Sequence, residues 1–382
     1  MTKDKAAPPI LLLVVGIQGA VGSTVAAAVA ALDTHPELVI PYLTSVDALS
    51  GLGPLSTMRV AGWDLSPEKP FQECLATRGV VPITAIDALG PQLARIPVLP
   101  APNDTADIHD QIDQLRKDIR RLAAEAGASR PVLVNLLPAA CDPDMAQCQC
   151  ADDIDNAALR QLPDLAYVAA AIRENVPVVN FTPNTVELPW LIAEAESRGV
   201  PVAGRDGKTG QTYLKVVLAS AFRARHLAVD GWYSTNILGN ADGRNLMDPE
   251  RCSGKLANKT HLLNEVLGYP VENAAGEPTH TVRIDYYPPR GDAKEAWDVI
   301  DLRGLFGLPM SIRLNLQGRD SILAAPMIVD LARWVAALKE AGIGGAISDL
   351  GFFFKKPVGQ DPPVTFEEQT ARLTVLSTRC GG

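Results

Sequence analysis

The chain has 382 residues, 47% of them hydrophobic and 21% charged, with a net charge of -9. That composition belongs to a soluble globular protein long enough for two domains. The charge excludes a global basic footprint for nucleic acid or an anionic membrane surface, although one local lysine cluster still suffices for a small phosphate.

In chain order, "ILLLVV" at residues 10–15 is a continuous apolar run closed by Gly16, which predicts a strand buried on both faces of a parallel sheet. "STVAAAVAALDTH" then predicts an alanine-rich helix that starts at Ser23 and Thr24. The turn between them carries Gly16, Gly19 and Gly22, a strand–turn–helix glycine pattern suited to a phosphate. The usual dinucleotide fingerprint has its second glycine one place earlier, where Gln18 stands. A lysine-containing leader before an apolar run also fits an export signal. The glycines and Gln18 interrupt the run far short of the about 20 residues a membrane span needs, and a cytoplasmic protein is expected.

Further strands are predicted in "ELVIPYLTSV", "TMRVAGWDL", "PVLVNLLPA", "VPVVNFTP" and "GVPVAGRDG". Helical patterns lie between several of them, in "DIHDQIDQLRKDIRRLAAEAG", "LAYVAAAIREN" and "LPWLIAEAESRG". The alternation predicts an α/β fold, a Rossmann-like doubly wound parallel sheet. Beyond about residue 205 the texture changes. "HTVRIDYYPP" and "MSIRLNLQG" alternate at period two, as half-exposed strands of a mixed or antiparallel sheet do. "APMIVDLARWVAALKEAG" reads as a long amphipathic helix, and "GGAISDLGFFFKKP" returns to buried texture. The expected layout is a Rossmann-like domain over 1–208, an inserted α+β domain over 209–334, and a C-terminal return over 335–382.

Six cysteines are scattered through the chain, so a disulfide framework is not expected. Cys141, Cys148 and Cys150 crowd one segment without the C-x-x-C spacing or nearby histidines of a metal site, and no metal is specified.

Chemistry concentrates in three segments. "GRDGKTGQTYLK" suits a backbone anion nest in which the hydroxyls of Thr209 and Thr212 face a phosphate at a helix start; it is no Walker loop. "ILGNADGRNL" is the second. In the third, "RCSGKLANKTHLL", Lys255 and Lys259, if helical, share a face and repel unless an anion lies between them; from spacing alone, two solvated surface lysines are the more ordinary reading.

These segments, with "GIQGAVGST", "AGWDLS", "VNFTPN", "DSILAAPMIVDL" and "FFFKKP", give the chain a resemblance to the myo-inositol-1-phosphate synthase family over nearly its whole length. The resemblance implies a homotetrameric, redox-neutral carbocyclase that uses NAD. A hexose 6-phosphate is oxidised, enolised, closed by an intramolecular aldol step and reduced again. By this resemblance Lys255 serves hydroxyl deprotonation, Lys259 contacts phosphate and enolate, and Lys355 polarises a carbonyl or shuttles a proton, held by Asp320. Thr209, Gly210, Gln211 and Thr212 match the phosphate-binding turn; Asn240 and Ser321 line the substrate. Gly16, Gln18, Gly19, Ala20, Val21, Gly22, Ser23, Thr24 and Asp64 take the adenosine and pyrophosphate side, while Asp206 and Asp242 lie toward the nicotinamide.

One departure stands out. Asp285 occupies a position where the family carries an active-site lysine; Arg283, two residues back, and Arg319 are candidates to replace the charge. The departure leaves a second substrate open, fructose 6-phosphate closing to a five-membered cyclitol phosphate. Outside the cyclase class, an ordinary phosphosugar dehydrogenase and a non-catalytic sensor are the alternatives.

Overall fold

The computed structural model describes residues 9–43, 52, 57–128, 130–140, 162–239, 243–244 and 262–381. The chain divides into two compact units. One takes Met1–Gly207, Ala324–Pro362 and Arg372–Gly382; the other takes Lys208–Leu323 and Pro363–Ala371. The return to the first unit thus begins at Ala324, earlier than the boundary after 334 expected from sequence, and residues 363–371 belong with the insertion.

The first unit is built on β1 (Ile10–Val15), in which every residue is at most 1% exposed. Its alternate side chains enter two different cores. Ile10, Leu12 and Val14 meet α1 (Ala20–Thr34), α2 (Phe71–Arg78) and α3 (Ile83–Leu93). Leu11, Leu13 and Val15 meet α4 (Ile108–Ala126), α5 (Pro163–Arg173) and α6 (Pro189–Ser197). Among the described residues the other strands of this sheet are β2 (Met58–Asp64), β3 (Val98–Pro100), β4 (Arg130–Asn135), β5 (Val178–Asn180), β6 (Pro201–Gly204) and β11 (Gly345–Ala346). Their order is β11-β6-β5-β4-β1-β2-β3, with every pairing parallel. That is the doubly wound order whose chain direction reverses between β1 and β4.

Local chemistry explains the helices. In α4, Asp107 caps the start by accepting from the His109 N–H at 2.8 Å, and Gly127 ends the helix at φ 57°. Its buried side chains Ile108, Ile112, Leu115, Ile119 and Leu122 follow the 3.6 period. Proline opens both α5 and α6, where its missing N–H has no partner to lose. The strand expected in "ELVIPYLTSV" is corrected: two short 3₁₀ turns, Pro36–Leu38 and Ile40–Tyr42, stand there instead. Pro36 and Pro41 remove ladder donors, and Leu38, Ile40 and Tyr42 are exposed.

In the second unit, β7 (Ala228–Leu238), β8 (His280–Tyr286), β9 (Lys294–Arg303) and β10 (Pro309–Gly318) form a mixed sheet in the order β10-β9-β7-β8. Only β7 and β8 run parallel among these pairs. One face packs on α7 (Gly210–Ala224) through Val216, Ala219, Phe222, Trp232, Ile300 and Leu302. The alternate residues, including Tyr233 and Trp297, point away and are exposed.

Two further helices are α8 (Asp320–Glu340) and α9 (Phe366–Gly381). The sequence places the start of α8 at Ala325, yet it begins at Asp320, whose charge suits a first turn. Ile328, Val329, Leu331, Ala332 and Val335 are fully buried, which explains the apolar length of α8 as core packing.

Gly22 shows how tightly α1 is set on the turn after β1. A Cβ there would lie 2.5 Å from the Gly16 carbonyl oxygen and 2.7 Å from that of Ile17, both backbone atoms. Gly22→Ala is therefore expected to lower stability by about 1–3 kcal/mol. Chemical denaturation measures it, and an unchanged unfolding free energy would contradict the packing.

Candidate active site

The first cluster lies at the carboxyl ends of β1 and β2, beside the reversal point where doubly wound sheets bind nucleotides. Gly16 turns the chain at φ 78°, and the N–H groups of Gly16 and Ile17 both donate to the Trp63 carbonyl. Gly19 caps α1 with no side-chain hydrogen bond, so no side chain covers the first backbone N–H groups of the helix, the kind of end that suits an anion. Ser23 and Thr24 turn their hydroxyls back onto the carbonyls of Gly19 and Ala20, at 2.7 Å each. Both hydroxyls are thus taken up by the helix's own carbonyls.

Gln18, in the place of the usual glycine, is a staple. Its N–H donates to Asp64 Oδ2 at 2.8 Å and its side-chain amide donates to the Lys69 carbonyl at 2.7 Å. Asp64 ends β2, and its other oxygen accepts from the Leu65 N–H at 2.8 Å.

A second cluster lines the carboxyl ends of β4, β5 and β6. Lys355 Nζ meets Asp206 Oδ1 at 2.8 Å, and the Lys355 N–H donates to the Asp206 carbonyl at 2.8 Å. Lys355 is thus paired with Asp206 within the first unit. The Asp206 N–H is itself fixed by the Thr182 carbonyl at 2.8 Å. Beneath lies a buried polar set. Asp164 Oδ2 accepts from the side-chain amides of Asn135 at 2.9 Å and Asn184 at 2.5 Å. Burial pushes the Asp164 carboxyl up, and these two donors hold it back in part.

The third cluster is in the second unit, at the start of α7. Thr209 caps the helix and its hydroxyl donates to Asp320 Oδ1 at 3.1 Å. Gly210 follows at φ 51°. Gln211 and Thr212 are buried, and Gln211 Nε2 donates to Asp298 Oδ2 at 2.9 Å. Asp298 is itself buried and also accepts from the Trp232 indole at 2.7 Å and the Ser234 hydroxyl at 2.5 Å. One turn on, Lys215 Nζ lies 2.7 Å from His280 Nε2 and 3.2 Å from Ser234 Oγ. Burial lowers the Lys215 amine to about 8, with Asp298 opposing the shift. Lys208, just before the turn, is lowered to about 7 by burial and donates to Gln369 Oε1 at 2.8 Å. Lys294 Nζ lies 3.3 Å from Asp320 Oδ2, and Ser321 beside that carboxylate is buried.

The structure thus brings Thr209, Gly210, Gln211, Asp320 and Ser321 into one stretch of the second unit. Arg283 and Asp285 are not brought to it. They alternate with His280, Val282 and Ile284, and His280 is on the face that meets Lys215 of α7, so both charges point from the opposite face. Asp285 there lies 3.4 Å from the Thr235 hydroxyl. Asn240, Asp242, Lys255 and Lys259 lie outside the described residues.

Sequence reasoning passed over Lys208, Lys215, Lys294 and Asp298. A signal for Asp298 was present: in β9 it interrupts the inward row Ala296, Ile300, Leu302 with a charge.

A family model described as myo-inositol-1-phosphate synthase matches residues 210–321, from the start of α7 to Ser321. Inositol-3-phosphate synthase 1 of Bacteroides thetaiotaomicron is 33% identical over 393 residues, covering 91% of this chain and 89% of that protein. The chain belongs to the inositol-phosphate synthase family. Among solved structures, inositol-3-phosphate synthase of Caenorhabditis elegans has a TM-score of 0.82 at 22% identity, covering 98% of this chain and 86% of that one. A myo-inositol-1-phosphate synthase-related protein of Thermotoga maritima has a TM-score of 0.76 at 18% identity, covering 97% and 98%. Both share the fold described above for this family member.

The buried lysine of this inositol-phosphate synthase relative gives a pH signature. The unfolded chain keeps the Lys208 proton up to its ordinary value near 10.5, whereas the folded chain releases it near 7. Between those values the unfolded state binds more protons, so the contribution to stability rises with pH; below 7 it is flat. Lys208→Met should remove that rise, so the gain in urea midpoint from pH 7 to about pH 9 shrinks relative to wild type. An equal gain in both proteins would contradict a buried, proton-releasing amine.

Proposed function

We propose that this protein is an NAD-dependent cyclase that converts glucose 6-phosphate to an inositol phosphate without net oxidation. The observation that carries the reading is the 33% identity across 91% of the chain to a named inositol-3-phosphate synthase. The site supports it in three ways.

In the first unit, the free N–H groups at the start of α1 suit a pyrophosphate, and Asp64 at the end of β2 stands where an acidic residue meets an adenosine ribose. The nicotinamide cofactor, when bound, supplies a hydride acceptor for the first step and a hydride donor for the last. The chain's own residues supply the rest. Lys355, held by Asp206, is placed to hold or pass a proton at Nζ. In the second unit, the backbone start of α7 at Thr209–Thr212 binds the sugar phosphate, with Gln211 anchored by Asp298. Fixed cations stabilise an enolate oxygen as charge develops on it, the role the reading gives to Lys255 and Lys259. Exposed Trp297 and Tyr233 on the outer face of the second unit's sheet support association of copies, in keeping with a homotetramer.

The test is product analysis by NMR and mass spectrometry, with glucose 6-phosphate and fructose 6-phosphate in parallel. A six-membered cyclitol phosphate from glucose 6-phosphate with no steady rise of NADH is expected; stoichiometric NADH would identify a dehydrogenase and end the cyclase reading. Lys355→Met should lower kcat by about 10²–10⁴ if the amine transfers a proton in the rate-setting step.

A further inference from the structure

The face of α7 that packs on the sheet is apolar at Val216, Ala219 and Phe222, yet it also carries an amine. Lys215 is buried, as are Ser234 of β7, His280 of β8 and Asp298 of β9 around it. A buried ion pair adds little net stability, because desolvation of both charges offsets their attraction. Helix packing therefore does not explain the lysine, whereas its position does. It stands four residues after Gln211, so the two side chains share one face of α7, a turn apart.

Hydrogen-bond directions tie these groups into one chain. A lysine ammonium only donates, so Lys215 Nζ gives to Ser234 Oγ at 3.2 Å and to His280 Nε2 at 2.7 Å, which makes His280 the neutral member. The Ser234 hydroxyl has one proton and donates it to Asp298 Oδ1 at 2.5 Å. The other oxygen, Oδ2, accepts from Gln211 Nε2 at 2.9 Å. Trp232 closes the set: its indole N–H donates to Asp298 Oδ1 at 2.7 Å, and its ring centroid lies 5.1 Å from Lys215 Nζ. Asp298 thus keeps its charge with a cation one hydroxyl away. Without that cation a buried carboxylate takes up a proton. Its three partners all donate, so a proton on either oxygen displaces one of them and weakens what remains.

We infer that Lys215 is a positioning residue for the start of α7: its ammonium keeps Asp298 ionised, and Asp298 holds the Gln211 amide and the turn that receives the phosphate. The assignment rests on the phosphate reading of that turn. It makes phosphate affinity depend on a proton held one helical turn behind the site. Burial brings the Lys215 amine down to about 8. Among the described residues, the titratable groups that face it are His280 of β8 and Asp298 of β9, while β7 presents Ser234 and Trp232. Below that value the amine is charged and the turn is held; above it, affinity falls.

Titration calorimetry of the full chain with inorganic phosphate at pH 7 and pH 9 tests this, for wild type, Lys215→Met, Asp298→Asn and the double variant, with circular dichroism to check that each is folded. An amine that titrates near 8 keeps its proton in about nine-tenths of molecules at pH 7 and about one-tenth at pH 9, so wild type should bind up to about tenfold more weakly at pH 9. Lys215→Met and Asp298→Asn should each bind about tenfold more weakly than wild type at pH 7 and change far less between the two pH values. The proton on phosphate itself acts equally in all four proteins. The double variant should be no weaker than the weaker single variant. Equal pH ratios in wild type and Lys215→Met overturn the assignment, as do additive losses in the double variant and absence of phosphate binding by wild type. If Lys215→Met does not fold, Asp298→Asn decides by the same ratio. Lys215-dependent phosphate binding with no cyclitol formed upholds the assignment and removes only the cyclase reading.

Discussion

A strand buried on both faces leaves its chain few choices, and β1 is such a strand. Its odd and even residues enter separate cores, so helices must cover each side of the sheet. Parallel neighbours then require crossovers, and the crossovers diverge where β4 and β2 flank β1. Divergence opens a crevice at the carboxyl end of β1, the place of the Gly16–Gly22 turn. The turn has little room of its own: Gly22 sits against the carbonyls of Gly16 and Ile17, which sets α1 tightly on the sheet. The placement of the turn thus follows from how the core is divided.

The second unit is organised by a charge rather than by apolar burial alone. Asp298 is 2% exposed and takes hydrogen bonds from Gln211, Trp232 and Ser234. Desolvating a carboxylate costs several kcal/mol, and hydrogen bonds to a charged group return about 1.5–3 kcal/mol each. Three such bonds bring the sum close to balance, so the arrangement contributes little net stability. Its effect is geometric. A carboxylate only accepts, so the Gln211 amide must turn its donor inward and the first turn of α7 is fixed against β7 and β9.

The frame was legible because its signals are strong and local. "ILLLVV" has the length and apolarity of a doubly buried strand, and the glycines after it have few other uses. The period-two strands of the insertion were equally plain. What escaped was of two kinds. Short elements carry little periodic signal: β3 spans Val98–Pro100, and the apolar content of "ELVIPYL" outweighed Pro41 in the reading. Pairings are not local either. Lys355 and Asp206 are 149 positions apart, Gln211 and Asp298 are 87 apart, and no spacing rule connects them. The site motifs were visible as segments, and only the fold chose which carboxylate each amine meets.

The same limit governs Asp285. Alignment assigns a residue to a motif, whereas a strand assigns it to a face. In the sheet, Asp285 pairs with Ile237, Ile237 with Glu295, and Glu295 with Gln317, so these four form one row across the outer surface. Asp298 and Ser234 pair in a row on the other face of the sheet, three residues along the strands, where α7 packs. Glu295 in the outer row already pairs with Arg290 and accepts from the Trp297 indole, so that surface keeps its own charge balance. Asp285 therefore adds its charge to the outer face, a surface on which Trp297 and Tyr233 are exposed. The charge at the start of α7 is set elsewhere, by Asp320 and Lys294.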